Sequence, residues 1–203
     1  MLMMKRNPLS LLFFTLFLTC CGAETSFAQA TAQATVAVAR TPSTGFRAEV
    51  LNQIADAEKK LIALAEAIPQ EKYSYRPGEG VRSTSEVFMH VAGGNFMITS
   101  FVGAKPPEGL SRDMEKLTDK AKVVDMLKQS FEHVRQAVLN TSDADLEKAT
   151  KLFGRDTTYR DVLLLLATHA HEHLGQTIAY ARMSGITPPW TQARQSQTPR
   201  PPQ

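Results

Sequence analysis

Apolar side chains recur at steps of three and four residues along four segments of this chain, the spacing of one face of an α-helix. In the first segment they run from Phe46 to Ile68, and Pro69 follows them. No segment has a convincing strand pattern, so we expect an all-α fold. The pattern predicts helices over about 44–68, 84–102, 119–140 and 159–184.

Capping residues mark the ends of these helices. Ser83 and Glu86 have the S-x-x-E spacing of a capping box before the second helix. Thr118 is expected to cap the third helix, and Thr158 begins a capping sequence before the fourth. Gly185 is expected to end the fourth helix in the left-handed conformation.

The remaining segments are shorter. Residues 143–150 are predicted to form a short helix, and 151–156 a loop or a small hairpin. Residues 162–167 are apolar on all sides of the fourth helix, which indicates a position at the centre of a bundle or a surface shared with a partner chain. Trp190 is expected to pack back on the helices, and the polar residues 191–203 to form a disordered tail.

Residues 1–30 have the three parts of a secretory signal peptide: a basic start, an apolar run and a small-residue cleavage site at Ala28-Gln29-Ala30. The apolar run is too short to span a membrane. We therefore expect an exported protein, periplasmic or secreted, with cleavage after Ala30. Residues 31–43 are then a disordered linker, and 44–190 form the folded domain.

Cleavage after Ala30 would remove Cys20 and Cys21, which are the two cysteines of the chain. The mature form would then have no thiol, so any metal would be held by His, Asp or Glu. The alternative is lipoprotein processing at Cys21, although Cys20 stands where a small residue is expected. A formal charge of +3 over 203 residues does not indicate a nucleic-acid partner, and we expect no membrane association of the mature form.

Three histidines fall within five positions of the fourth predicted helix. His169 and His173 are four residues apart, so they share one face and could bind one metal ion. His171 points about 200° around the helix from His169. It is expected to be a surface residue, as is His133 in the third helix.

His90 lies beside the apolar stripe of the second helix, where it is either a hydrogen-bonded core residue or a third ligand. Three histidines would leave a fourth position open, as in catalytic zinc sites, and nickel or iron would also fit. A bound divalent ion would lower the pKa of its water and polarise a substrate oxygen. Gly93 and Gly94 each cost about 1 kcal/mol in a helix relative to Ala, which indicates a close approach there and makes Gly94 a candidate pocket residue.

Two polar residues of the fourth helix are further candidates. Glu172 either accepts a hydrogen bond from an imidazole or is a surface carboxylate. Gln176 lies on the face of the two histidines, where it either lines the pocket or bonds to another helix. Because Ala170 follows His169, the spacing is not that of an H-E-x-x-H metalloprotease.

Three segments resemble the DinB family of DinB/YfiT-like metalloenzymes. They are A-E-A-I-P-Q-E-K-Y-S-Y-R-P-G-E-G at 65–80, F-M-H-V-A-G-G-N-F at 88–96 and H-A-H-E-H-L-G-Q-T-I-A-Y-A-R-M-S-G-I-T-P-P-W at 169–190. The resemblance covers about 44–190. It implies a four-helix bundle with a long crossover connection, commonly dimeric, and a divalent metal held by His90, His169 and His173.

The function most compatible with these features is that of an exported, metal-dependent hydrolase of unknown substrate. No residue is a convincing general base, so the alternatives are a non-catalytic bundle that binds a metal or small ligand, and a structural bundle with core histidines. Some DinB relatives are thiol-dependent S-transferases or isomerases, but their thiol cofactors are chiefly cytosolic, which does not suit an exported chain.

Overall fold

The computed structural model describes residues 41–111 and 113–197. The predicted signal peptide, its cleavage site and most of the linker lie outside these residues. The described part is mostly helical, with one small antiparallel sheet, so the prediction of an all-α fold is confirmed apart from a hairpin. The elements are α1 (Phe46–Ala67), α2 (Thr84–Ser100), α3 (Lys120–Asn140), β1 (Ala149–Leu152), β2 (Arg155–Thr158), α4 (Tyr159–Met183) and α5 (Pro189–Gln197).

The four long helices enclose one apolar core. Helices α1 and α2 each pack against both α3 and α4. Every long helix contributes side chains that are almost completely buried, among them Leu61, Phe88, Phe131 and Leu163. Burying each such side chain contributes about 1.5–3 kcal/mol. This packing sets α2 beside α4, and the candidate site depends on that contact.

The capping box before α2 forms as predicted. The side chain of Ser83 accepts a hydrogen bond from the backbone N–H of Glu86, whose carboxylate accepts one from the backbone of Ser83 at 2.8 Å. The prediction for α3 is wrong by one residue, because Asp119 and not Thr118 is the cap and accepts the N–H of Lys122 at 3.0 Å. A carboxylate is favoured there because the helix N-terminus carries a partial positive charge.

At the start of α4, Thr158 occupies the cap position, but its side chain makes no capping hydrogen bond. Thr158 is therefore the N-cap by its backbone conformation, but the expected side-chain cap does not form. Asp161 faces the hairpin instead and accepts hydrogen bonds from the side chains of Thr157 at 2.8 Å and Arg155 at 2.6 Å. The hairpin and α4 are joined by these side chains.

The segment before α4 is a hairpin, one of the two predicted alternatives. Leu152 pairs with Arg155, so Phe153 and Gly154 form a two-residue turn with φ values of 50° and 86°. Positive φ at both central residues is typical of the turn that matches the strand twist. The short helix predicted at 143–150 is only a 3-10 turn at Ala144–Glu147, because the chain is already a strand from Ala149.

The end of α4 follows the prediction, but the segment beyond it does not. Gly185 has a φ of 84°, and Trp190 packs against the core. The predicted disordered tail is wrong for residues 191–197, which belong to α5. Proline suits the first position of a helix, and Trp190 anchors this one to the domain. In the part of the chain that the structure describes, no helix has the length and apolar character needed to cross a membrane.

Candidate metal centre

The contact between α2 and α4 brings three imidazoles together. His90 lies on α2, and His169 and His173 lie one turn apart on α4. Nε2 of His90 is 3.4 Å from Nε2 of His169. One nitrogen from each of the three rings lies within 4.8 Å of the others. The three histidines that were singled out in the sequence therefore form one cluster in the fold.

One pair of nitrogens in this cluster has the spacing that a small divalent ion requires. Two nitrogens bound at about 2.0–2.1 Å to a tetrahedral ion lie roughly 3.3–3.4 Å apart. The separation of the His90 and His169 nitrogens has this value. Three neutral imidazoles also form a donor set that zinc, nickel and iron accept. The residues present thus fit a metal with a further coordination position left for solvent or a ligand.

Gly94 makes room for His169. A Cβ at this position would overlap Cε1 of the His169 ring and would lie 3.0 Å and 3.1 Å from its two nitrogens. The ring therefore rests directly on the backbone of α2. Nδ1 of His169 is buried and, among the described residues, has no hydrogen-bond partner. The position of this ring is therefore set by its contact with α2 and not by a hydrogen bond to Nδ1.

Burial keeps two rings of the cluster, those of His169 and His90, neutral. Loss of solvent lowers the pKa of His169 to about 4, with smaller contributions from the nearby His173, His90 and Arg82. The pKa of His90 is also lowered, first by burial and then by the charge of Arg82, against the opposing hydrogen bond to Glu115. Because metal ligands must be deprotonated, both rings are in the binding form at neutral pH.

His173 is oriented by residues of its own helix. Its Nδ1 donates to Oε1 of Gln176 at 2.8 Å, and Nε2 of Gln176 donates to the hydroxyl of Tyr180 at 3.1 Å. The proton is therefore fixed on Nδ1, and Nε2 is the nitrogen left to bind a metal. Both partners of Gln176 lie on α4, so the predicted alternative of a hydrogen bond from Gln176 to another helix is wrong.

His90 is held by a carboxylate that the sequence did not reveal. Its Nδ1 donates to Oε1 of Glu115 at 3.1 Å, and Oε2 of Glu115 accepts from Nε of Arg82 at 3.0 Å. Burial raises the pKa of Glu115, but the hydrogen bonds from Arg82 and His90 outweigh it and hold the pKa below its usual value. Glu115 lies in a 3-10 turn of an irregular loop, where no periodicity points to it.

The other polar candidates lie elsewhere. Glu172 is exposed, which agrees with the alternative of a surface carboxylate. The carboxylate and amide that bond to the clustered imidazoles are those of Glu115 and Gln176. His171 bonds to the carbonyl of Ala167 at 2.9 Å, away from the cluster. His133 is less exposed than expected, because its ring packs on Phe96 with 5.3 Å between centroids. The prediction of a surface histidine is therefore only partly correct for His133.

Two cavities adjoin the cluster. One of about 670 Å³ is lined by His90, Gly94 and Glu115 and is bounded by the loop before α3. The other, of about 810 Å³, is lined by Gln176, Glu115 and the guanidinium groups of Arg76 and Arg82. Small molecules could therefore reach His90 through the first cavity, whereas the second reaches the hydrogen-bond partners Glu115 and Gln176.

Residues 39–202 match the family model described as the DinB family. This chain belongs to the DinB family. The match includes every residue of the cluster, its hydrogen-bond partners and its two cavities. The resemblance seen in three sequence segments is thus confirmed over the whole described domain.

Individual DinB relatives support the same fold. An uncharacterized protein of Bacillus subtilis (strain 168), YjoA, is 28% identical over 131 residues, which cover 61% of this chain and 81% of YjoA. The crystal structure of a DinB-like protein from Bacillus cereus ATCC 10987 has a TM-score of 0.62 at 23% identity and covers 69% of this chain and 93% of its own. The crystal structure of YjoA has a TM-score of 0.56 at 23% identity, with coverage of 68% and 93%.

Proposed function

We propose that this DinB-family protein is an exported, metal-dependent enzyme whose metal is held by His90, His169 and His173, and that it is a hydrolase. The observation that carries the proposal is the convergence of three imidazoles, one of which lines an open cavity. A divalent ion bound there would supply Lewis acidity and lower the pKa of water. Hydrolysis is the default reaction because water is always available to an exported enzyme.

The protein's own groups have distinct parts in this proposal. Glu115 accepts the Nδ1 proton of His90 and so directs Nε2 of that ring to the metal. Gln176 does the same for His173. Arg82 keeps Glu115 ionised by donating to its second oxygen. These contacts fix two of the three rings before a metal arrives, which reduces the cost of ordering them.

A non-catalytic binding protein is the second candidate, and one observation favours it. Glu115 is the carboxylate that bonds to the cluster, and both of its oxygens already accept hydrogen bonds, one from His90 and one from Arg82. A general base must be free to accept a proton from the reacting molecule. Binding of a metal and a small ligand needs no such base.

Element-resolved analysis of untagged protein, purified without chelator, tests the metal. We expect about one zinc, nickel or iron ion per chain, and loss of that ion in His169→Ala. His171→Ala is the matched control, because this histidine lies on the same helix and bonds away from the cluster. Metal contents near zero in the unmodified protein, with no thermal shift on adding zinc or nickel, would refute the proposal.

Turnover separates the two candidate functions. The metal-loaded protein is screened against ester, amide and phosphoester panels, with His169→Ala as the blank. Hydrolysis that is lost in the variant supports an enzyme. Metal binding without hydrolysis across all three panels supports the binding protein.

Export and dimerisation are part of the same proposal. Export is supported by the signal-like residues 1–30, and the mature N-terminus isolated from the native host should be Thr31. A homodimer is supported by Phe153 and Leu164, which are 62% and 48% exposed and border one groove. Sedimentation should give a dimer that Leu164→Lys dissociates, and a monomer at micromolar concentration would contradict it.

A further inference from the structure

The cavity of about 670 Å³ beside His90 lies between α2 and the loop that precedes α3. Its floor is formed by Met89 and Phe96, which are each 1% exposed. The loop side contributes Pro106, Pro107 and Leu110. A second cavity of about 520 Å³ shares Met89, Phe96 and other lining residues with the first and extends to Met126 of α3. We call this continuous space the apolar cleft.

The apolar cleft has little to offer a charged ligand near the metal centre. Of the described residues that line the cavity beside His90, Glu115 carries the charge, and it is already bonded to Arg82 and His90. A charged group placed there would lose its water without gaining a counter-ion. Around His90 the walls are mainly thioether, aromatic and proline surfaces, and methionine adapts readily to apolar ligands of irregular shape. The charged side chains of Glu108, Asp113 and Lys116 line the second cavity, further from the histidines.

Gly93 shows that the cleft contains unfilled space along α2. The neighbouring Gly94 is explained by His169, but a Cβ at Gly93 would meet nothing within 4 Å. Gly93 lines the cavity, so α2 leaves space here that the protein's own side chains do not fill. Glycine is unfavourable inside a helix, and nothing in the packing of the fold requires it at this position.

We propose that the ligand of this metal centre carries an elongated, uncharged alkyl or aryl chain that lies in the apolar cleft, with its polar group at the histidines. This inference rests on the proposed metal site and adds the chemical class of the molecule. The size of the cleft suits a chain of several carbons, since pockets of roughly 300–1,000 Å³ hold small organic molecules.

Straight-chain hydroxamates test the proposal, because the hydroxamate group chelates the metal while the chain varies. Affinity for the metal-loaded protein is measured by calorimetry for acetohydroxamate, butanohydroxamate, hexanohydroxamate and octanohydroxamate. We expect affinity to rise roughly fourfold per methylene until the cleft is filled. A four-carbon chain that ends in a carboxylate, and so ends within the cavity beside His90, should bind more weakly than butanohydroxamate.

Gly93→Leu fills the cleft and should abolish the gain with chain length while acetohydroxamate still binds. Gly175→Leu is the matched control, because Gly175 is an exposed helical glycine whose Cβ would also meet nothing within 4 Å. It should preserve both the gain and the acetohydroxamate affinity. If both variants lose the gain in affinity with chain length, or both keep it, the assignment of the cleft is overturned.

The outcomes separate this inference from the proposed function. Equal affinities along the hydroxamate series, with acetohydroxamate bound, would overturn the apolar ligand and leave the metal site intact. Failure of acetohydroxamate to bind metal-loaded protein would overturn the ligand proposal, whereas failure of the protein to take up metal would remove the metal site on which that proposal rests. A gain with chain length that Gly93→Leu removes and Gly175→Leu preserves supports both.

Discussion

The two helices that form the candidate metal centre hold their histidines by different means. On α4, His173 is oriented by Gln176 and then Tyr180, which are three and seven residues further along the same helix. On α2, His90 is oriented by Glu115, which lies 25 residues away in a loop and is itself held by Arg82. One side of the site is thus built from helix periodicity and the other from tertiary contacts.

This difference also extends to His169, which belongs to α4 by sequence but depends on α2 for its position. Its ring fits only because Gly94 has no side chain. The α4 side therefore supplies two histidines of the cluster, whereas α2 supplies one histidine and the space for another. We expect substitutions on the α2 side to weaken metal binding more than substitutions of the local partners on α4.

Gly94→Ala should have the largest effect among substitutions outside the three ligands. The added Cβ overlaps the far end of the His169 ring, so the ring can turn away without unfolding the domain but then leaves the metal position. We expect metal affinity to fall by more than roughly 100-fold, beyond the usual loss from an outer hydrogen-bond partner. Competition with a chelator of known affinity measures it.

Gly93→Ala is the control for that substitution, since its Cβ meets nothing within 4 Å. It should leave metal affinity unchanged and raise the free energy of unfolding by up to about 1 kcal/mol through helix propensity. Equal metal affinities for the two alanine variants would contradict the role given to Gly94.

Glu115→Gln should come next, with a 10- to 100-fold loss of metal affinity, about the range for an outer partner of a ligating histidine. The carboxylate is charged and receives a stronger hydrogen bond from His90 than an amide oxygen would. Isothermal titration with zinc or nickel measures the change. Glu172→Gln is the matched control on α4; a similar loss there would show that overall charge, and not the bond to His90, is responsible.

Gln176→Ala should have a smaller effect, near the lower end of that range at roughly 10-fold. The bond that it removes is between neutral groups, and the helix still carries His173 on the correct face. Gln176→Glu keeps an acceptor for Nδ1 and should restore binding. A larger loss from Gln176→Ala than from Glu115→Gln would reverse the comparison between the two helices.

Substitution of His133 should have the smallest effect. It tests the burial of a histidine that lies outside the candidate metal centre. Burial lowers its pKa in the folded state, so the unfolded chain binds more protons. Its contribution to stability is therefore fully present above the unfolded pKa of about 6.5 and is lost as the pH falls through the folded pKa. The unfolding free energy of the unmodified protein should decrease relative to His133→Phe as the pH falls from 7 to 5, measured by urea denaturation. A difference in unfolding free energy between the two proteins that does not change with pH would contradict this prediction.

Much of the candidate site could be predicted because α4 is a regular helix. The spacing of His169 and His173 decides that they share a face, and the same periodicity places Gln176 near them and turns His171 away. His90 was ambiguous from its own surroundings, and the family resemblance favoured it. Gly94 could be recognised as unusual inside a helix, but the sequence did not show that the ring of His169 approaches it.

Other features could not be predicted because they depend on groups that are distant in sequence. Glu115 lies in an irregular loop, and its hydrogen bond to His90 exists only after that loop has folded against α2. The cap of α3 was missed for a local reason instead, because the adjacent Thr118 and Asp119 could each serve. The helical segment 189–197 was hidden by its polar composition, since its attachment depends on Trp190 reaching the core.

The sequence by itself determined the helical class of this protein, the boundaries of its long helices and the pair of histidines on α4, because all of these depend on local periodicity. The tertiary structure alone decided that His90 meets that pair, that Gly94 admits the ring of His169 and that Glu115 and Arg82 complete the α2 side. These contacts join residues far apart in the chain, and they form only when burial of the shared core sets α2 against α4.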